Sequence, residues 1–268
     1  MKTNYNEALM SVHIKRFRNG FRQGYTRLTS MSDKRYNTGI ELGMRVMKKG
    51  EAFTGKTNDE EQCFLLMMGS VEFSNGRNES YRANRESLLD ESPSTFIAGQ
   101  NTSFTLKSKS KDTEIACISV QSSALFEPRF FKPSDVETEK RGKGKLNNTA
   151  FRIVRTVFNK HNMPESSLVV GEVVTPPGRW SSYPPHHHPQ PEIYFYRFFP
   201  ENGYGFAQVG EDVHKVKNND LIKIPPGKDH PQAAAPGYTM WYLWVIRHLR
   251  NNPYINPEFT KEHERAFK

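Results

Sequence analysis

Four side chains in the second half of the chain have the types and spacing to hold one metal ion. His186 and His188 stand one residue apart, Glu192 follows four residues later, and His230 comes after the turn PPGKD at 225–229. Three imidazole nitrogens and a carboxylate oxygen suit a single divalent first-row ion, with Zn or Mn the first choices and Fe or Ni also acceptable. In an extended segment alternate side chains share a face, so His186 and His188 point together and His187 points out. The rigid Pro225-Pro226-Gly227 turn can aim His230 back at the same point. A purification tag also carries successive histidines, but this run is internal, short and flanked by prolines.

The elements that must position these residues read as strands. Residues 40–49 alternate in polarity, and 61–74 form an apolar run interrupted at Gly69 and followed by the hairpin signal Asn75-Gly76. Between them, 50–55 reads as a turn. Further strands are expected at 95–98, 103–107 and 114–120, then at 167–175, 192–198, 205–209, 220–224 and 238–246. Trp241, Leu243 and Val245 read as core. Residues 127–148 hold Pro128, Pro133, Gly142 and Gly144 among charged residues, which marks a break.

The two sides of that break share an outline: a Glu opening an apolar strand (Glu61, Glu192), a Gly turn (Gly69, Gly203), then an apolar pair before another Gly (Gly99, Gly227). Two copies of one β-barrel unit explain it. The fold expected is therefore all-β, with residues 1–140 forming a first barrel and 141–268 a second, and few short helices. The first copy lacks the metal residues, since the places of His186 and His188 fall near Gly55 and Thr57, that of His230 falls near Thr102, and His13 is the only histidine before His161.

Composition narrows the function. The chain has 268 residues and a formal net charge of +9, but its Lys and Arg are scattered; the densest cluster, KRGKGK at 140–145, reads as a solvated connector. A basic balance also suits a small anionic substrate, and a nucleic-acid role would call for aromatic and basic residues interleaved on one face. Cys63 and Cys117 both sit in apolar runs and read as reduced core residues. No apolar run is long enough to span a bilayer, and residues 1–7 have no apolar leader core, so a cytoplasmic protein is expected.

His-x-His-x-x-x-Glu followed by Pro-x-Gly-x-x-His resembles the two motifs of the cupin barrel, with Asn219 where the second motif usually has Gly. More narrowly, RGKG at 141–144, GRWSSYPPHHH at 178–188, EIYFYRF at 192–198, and DHP at 229–231 with APGY at 235–238 resemble the 5-deoxyglucuronate isomerases of myo-inositol catabolism. That resemblance implies a bicupin that converts the aldose 5-deoxy-D-glucuronate into the ketose 5-dehydro-2-deoxy-D-gluconate. It also implies His186, His188, Glu192 and His230 as metal ligands, and a homo-oligomer. Such a reaction moves a proton between C2 and C1, so it needs a positive partner for the developing charge and a group that carries the proton. Glu192, Tyr194, Tyr196 and Lys223 are the candidates for that group. Arg179, Tyr183 and Arg197 are the candidates for holding the substrate, with Arg179 ahead of Arg197 because strand parity turns Arg197 away from the metal face. A 4-deoxy-5-ketouronate isomerase of pectin breakdown and a non-catalytic sugar-binding cupin are the alternatives.

Overall fold

The computed structural model describes residues 11–77 and 79–267; the opening stretch 1–7, read above for a leader, lies outside them. The described residues are built almost wholly from strands, and their helical segments are three 3-10 turns at Pro133–Asp135, Leu146–Asn148 and Lys261–Phe267. None of their helices is long and apolar enough to cross a membrane. The strands expected from alternation all form, from Ile40–Lys48 and Glu60–Ser74 through Leu168–Thr175, Glu192–Phe199 and Thr239–Arg247.

The two halves repeat one another strand by strand. In the second half a large antiparallel sheet runs Leu221–Ile224, Glu192–Phe199, Thr239–Arg247, Leu168–Thr175, Arg152–Phe158, and faces a smaller sheet of Trp180–Ser181, Gln232–Ala234, Tyr204–Val209 and Asp212–Lys217. In the first half Thr95–Ala98, Glu60–Ser74, Asp112–Gln121, Ile40–Lys48 and Gly24–Arg27 follow in the same order. Its long strand Glu60–Ser74 serves both layers and bends at Gly69, where φ is +93° and an added Cβ would lie 2.3 Å from the Asp112 carbonyl oxygen. Glycine alone fits there.

Register refines the repeat. Gln62 pairs with Ala98 as Glu192 pairs with Ile224, so Gln62, not Glu61, stands in the place of Glu192. A shift of one residue changes the face. Glu61 accordingly turns away from its own barrel and binds the Ser166 hydroxyl and, at 2.8 Å, the Ser167 N–H of the other half.

The two large sheets pack back to back. One parity class of each strand forms the shared core: Ile40, Leu42, Met44, Cys63, Leu65, Ile118 and Val120 from the first half meet Leu168, Val170, Ile193, Phe195, Trp241, Leu243 and Val245 from the second. The other class fills each barrel, with phenylalanines in the first (Phe64, Phe73, Phe96, Phe104) and tyrosines in the second (Tyr194, Tyr196, Tyr242). Leu168–Thr175 is buried along its whole length because both of its faces are covered.

The second-half sheet also takes strands from before the expected division at both of its edges. Glu137–Arg141, inside the stretch read as a connector, pairs with Arg152–Phe158, so a boundary at 140 cuts a strand of the second sheet. His13–Ile14, from the start of the first half, joins the same sheet at its other edge and caps it beside Leu221–Ile224. The segment read as a turn at 50–55 is mostly strand, Ala52–Lys56, paired with Ser103–Ser108.

A buried ion triad ties the halves. Glu172 accepts from Arg85 at 2.7 and 2.9 Å and from Arg155 at 2.7 Å, and the side chains of Arg85 and Glu172 have no exposure to solvent. Removing the carboxylate leaves two guanidinium groups without their counter-ion in a dry interface. Glu172→Ala is expected to cost about 3–5 kcal/mol, read as a lower urea midpoint at unchanged slope.

Candidate metal centre

The histidine stretch is held at two points. His186–His187 pairs with Glu258–Phe259 near the C-terminus, and the His188 carbonyl accepts the Gly227 N–H at 2.9 Å, which clamps the stretch to the PPG turn. Gly227 has φ +72°, and this turn delivers His230. Asn219, standing where the family motif has Gly, has φ +65°; this left-handed position is one that Asn tolerates better than most residues.

His188, Glu192 and His230 come together as a buried group whose ligand atoms lie within 4.8 Å of one another. Glu192 Oε2 is 3.2 Å from His188 Nε2 and 3.3 Å from His230 Nε2. His186 stands beside them, its ring edge-on to His230 at 4.8 Å between centroids. His187 points out, to Asp229 at 2.8 Å, as alternation requires.

Hydrogen bonding sets the tautomers. The Nδ1 atoms of His186, His188 and His230 contact the carbonyl oxygens of Pro184, Gln190 and Lys228 at 2.9, 2.8 and 2.8 Å. A carbonyl only accepts, so each Nδ1 carries the proton and each neutral ring keeps its lone pair at Nε2. Burial pushes the pKa of His186 and His230 down, which keeps both neutral. Two imidazole lone pairs and a carboxylate facing one another in a dry site repel unless a cation lies among them. The donor set therefore fits a divalent metal, with the backbone carbonyls as its orienting second layer.

The cluster opens into a cavity of about 490 Å³. Of the proposed proton carriers, Glu192 and Tyr194 line it. Tyr194 Oη lies 3.1 Å from Ser182 Oγ, which also contacts Tyr242 Oη at 3.3 Å. Tyr196 shares that strand face but is one layer deeper, donating to Gln232 Oε1 at 2.6 Å, and does not reach the cavity wall. Lys223 is corrected: it pairs with Ile193, faces the inter-sheet core and binds Asp33 at 2.5 Å.

The substrate-holding candidates fall elsewhere too. Arg197 faces the other half and binds Glu114, as its parity foretold. Arg179 donates to the Asn147 carbonyl at 3.2 Å, and the Tyr183 ring lies tilted against Trp180 with centroids 5.8 Å apart; neither lines the cavity. The arginines that do line it are Arg141 and Arg152, directly opposite one another on neighbouring strands. Sequence reasoning missed both, taking one for part of a connector and passing over the other. The available signal was the alternation of Arg152, Val154 and Thr156 against Ile153, Arg155 and Val157.

A C-terminal strap, also unforeseen, roofs the cavity with Tyr254, Ile255, Pro257 and Phe259. The Tyr254 ring sits 4.9 Å from His188 and that of Phe259 5.8 Å from His186. Thr260 secures the strap by donating to Asp229, the carboxylate that also holds His187.

A barrel of this topology with a His–Glu–His cluster at its mouth is of the cupin type. Solved structures agree on the fold: an IolB-like protein of Salmonella typhimurium superposes with a TM-score of 0.81 at 22% identity, covering 92% of this chain and 96% of that one. An oxalate decarboxylase of Lactobacillus farciminis gives 0.67 at 10% identity, covering 90% and 86%. The model of the KduI/IolB family matches residues 13–266, and the chain belongs to that family. Among its relatives, a protein of Geobacillus kaustophilus named 5-deoxy-glucuronate isomerase is 30% identical over 218 residues, 75% of this chain and 76% of the relative. One of the same name from Bacillus subtilis is 27% identical over 245 residues, covering 85% and 87%.

Two outcomes follow from this geometry. His188→Ala should abolish stoichiometric metal uptake measured by elemental analysis, whereas His187→Ala should retain it. His248 anchors the strap by accepting the Tyr254 N–H at 2.9 Å, and burial, then the Lys160 charge, push its pKa from 6.5 down to about 4. The unfolded chain takes up this proton near pH 6.5 and the folded one resists it, so stability is complete above 6.5 and declines as pH falls toward 4. Allowing for solvent screening, the loss is about 2 kcal/mol. Urea titrations of wild type and His248→Gln at stepped pH measure it as a difference in slope.

Proposed function

We propose that this protein is a 5-deoxy-glucuronate isomerase that uses one divalent metal to interconvert an aldose and a ketose. The observation that carries the reading is the buried His188–Glu192–His230 cluster, whose lone pairs converge at the wall of a cavity large enough for a six-carbon open-chain acid. Family membership across residues 13–266, and relatives of that name, support the choice of substrate.

His186, His188, Glu192 and His230 would hold the metal. When bound, the ion supplies Lewis acidity toward oxygens on adjacent carbons. The net change from 5-deoxy-D-glucuronate to 5-dehydro-2-deoxy-D-gluconate moves one hydrogen from C2 to C1 and one proton from the C2 oxygen to the C1 oxygen. Tyr194 is the side chain suited to giving a proton. Burial, then the Glu192 charge, raise its pKa well above the usual phenol range, so it stays protonated while Ser182 and Tyr242 orient its hydroxyl. Glu192 is the adjacent carboxylate and the candidate acceptor. The Tyr254, Ile255 and Phe259 strap limits water at the reacting carbons. Inositol catabolism, a cytoplasmic setting and a homo-oligomer belong to the same proposal on the family resemblance alone.

The test is turnover of 5-deoxy-D-glucuronate by the metal-loaded protein, by the chelator-treated protein and by Tyr194→Phe. Chelation should abolish activity and added metal restore it. Tyr194→Phe should keep its metal while kcat falls about a hundredfold or more. Turnover of 4-deoxy-5-ketouronate in preference to 5-deoxy-D-glucuronate would replace the substrate assignment, and full activity without metal would sink the mechanism.

A further inference from the structure

The cavity contains a buried positive charge without a counter-ion. Arg152 is 7% exposed, lines the cavity, and donates one hydrogen bond, from Nη1 to the Ala150 carbonyl at 2.9 Å. Among the described residues no carboxylate lies within ion-pair distance of it. The contrast with its strand neighbours is plain. Arg155, on the opposite face of the same strand, is saturated by Glu172 and three backbone carbonyls. Arg141, paired across from Arg152, is held by Glu139 at 2.7 Å.

Placing two guanidinium groups opposite one another on adjacent strands costs free energy. Here Glu139 is spent on Arg141, and Glu137, which also lines the cavity, makes no ion pair with Arg152, so the Arg152 guanidinium keeps N–H groups for a further anion. Burial depresses the Arg152 pKa, the signature of a cation held out of water, and the Tyr242 phenol, the Arg141 charge, the Tyr194 phenol and the Glu139 carboxylate act on it as well. Those same phenols lead to the cluster: the Tyr242 and Tyr194 rings are 4.6 Å apart and Tyr194 lies 5.9 Å from His230. The lining thus runs from the His–Glu cluster, past the two tyrosines and Ser182, to Arg152.

We propose that Arg152 is the carboxylate anchor of this site. It receives the acid end of an open-chain sugar acid in a two-pronged, charge-assisted contact and so directs the opposite end of that chain to the His–Glu cluster. A guanidinium with free N–H groups matches a carboxylate bidentately, which a lysine cannot do. Arg152 is a specificity residue in this account: it selects uronates and fixes their direction, while the reacting carbons lie at the other end. The identity of the substrate rests on the isomerase reading above; the preference for a carboxylate does not.

The experiment uses the metal-loaded full chain and two substrates, 5-deoxy-D-glucuronate and the analogue whose carboxylate is reduced to a primary alcohol. Arg152→Gln should raise KM for the acid about a hundredfold while kcat changes less than about threefold. It should leave the alcohol nearly unaffected, so the wild-type preference for the acid collapses. Arg152→Lys should recover part of the loss, and guanidinium ion added to Arg152→Ala should recover part as well. Metal content of each variant is measured alongside. Equal losses on acid and alcohol, or a loss of metal, would overturn the proposal in favour of a scaffolding role. Should Arg152→Gln not fold, Arg152→Lys carries the same comparison. Should wild type fail to turn over 5-deoxy-D-glucuronate, the isomerase reading fails by itself, and calorimetric titration with D-gluconate decides the anchor: binding to wild type that Arg152→Gln loses supports it, and binding unchanged by the substitution, or none to wild type, overturns it.

Discussion

Two large sheets packed back to back through a shared apolar core govern the rest of this structure. Once Ile193, Phe195, Leu221, Leu243 and Val245 are committed to that core, strand alternation decides where every neighbour goes. Glu192 and Tyr194 must face the barrel interior, and Lys223 and Arg197 must face the other half. The site is in this sense a by-product of parity: the residues left over from the inter-sheet core are the ones that can meet a substrate.

The same core carries charges, and they are satisfied pairwise across the halves. Arg85 and Arg155 share Glu172, Lys223 binds Asp33, Arg197 binds Glu114, and Glu61 binds Ser166 and Ser167. Each contact is strongly unfavourable to break singly, because a buried charge is left without its partner. These pairs fix how one sheet is laid on the other. They also explain why several ionisable residues close in sequence to the metal motif have no part in its chemistry.

The two halves share a strand order but fill their interiors differently. In the first, Phe64, Phe96 and Phe104 stack in the interior, Gly55 lies against the Phe104 ring, and the Thr57 hydroxyl bonds the Gly99 carbonyl and the Thr102 N–H. The space is filled and the polar groups are spent on one another. In the second, Tyr194 replaces Phe64 at the same register position, Glu192 replaces Gln62, and the interior keeps hydroxyls, lone pairs and one unpaired guanidinium turned toward open volume. A packed interior gives a scaffold, and a polar one gives a site.

From sequence, alternation and spacing were enough for the all-β class, the long strands, the repeat and the His188–Glu192 part of the candidate cluster, because those signals are local: His186 to Glu192 spans one turn and one strand start. The outward turn of His187 and the exclusion of Arg197 also followed from period two alone. What alternation could not supply was which distant face each strand meets. Lys223 looked available until Asp33, 190 residues earlier, claimed it. Arg141 and Arg152 read as connector and background until the pairing of Glu137–Arg141 with Arg152–Phe158 set them side by side on the cavity wall. The strap that brings Tyr254 and Phe259 over the histidines has no periodicity to read, since its place comes from Asp229 and His248 contacts rather than from its own residues. The spacing of His188 and Glu192 was thus set by neighbours in sequence, whereas the approach of His230 and the surroundings that would choose a substrate were set by contacts only folding makes.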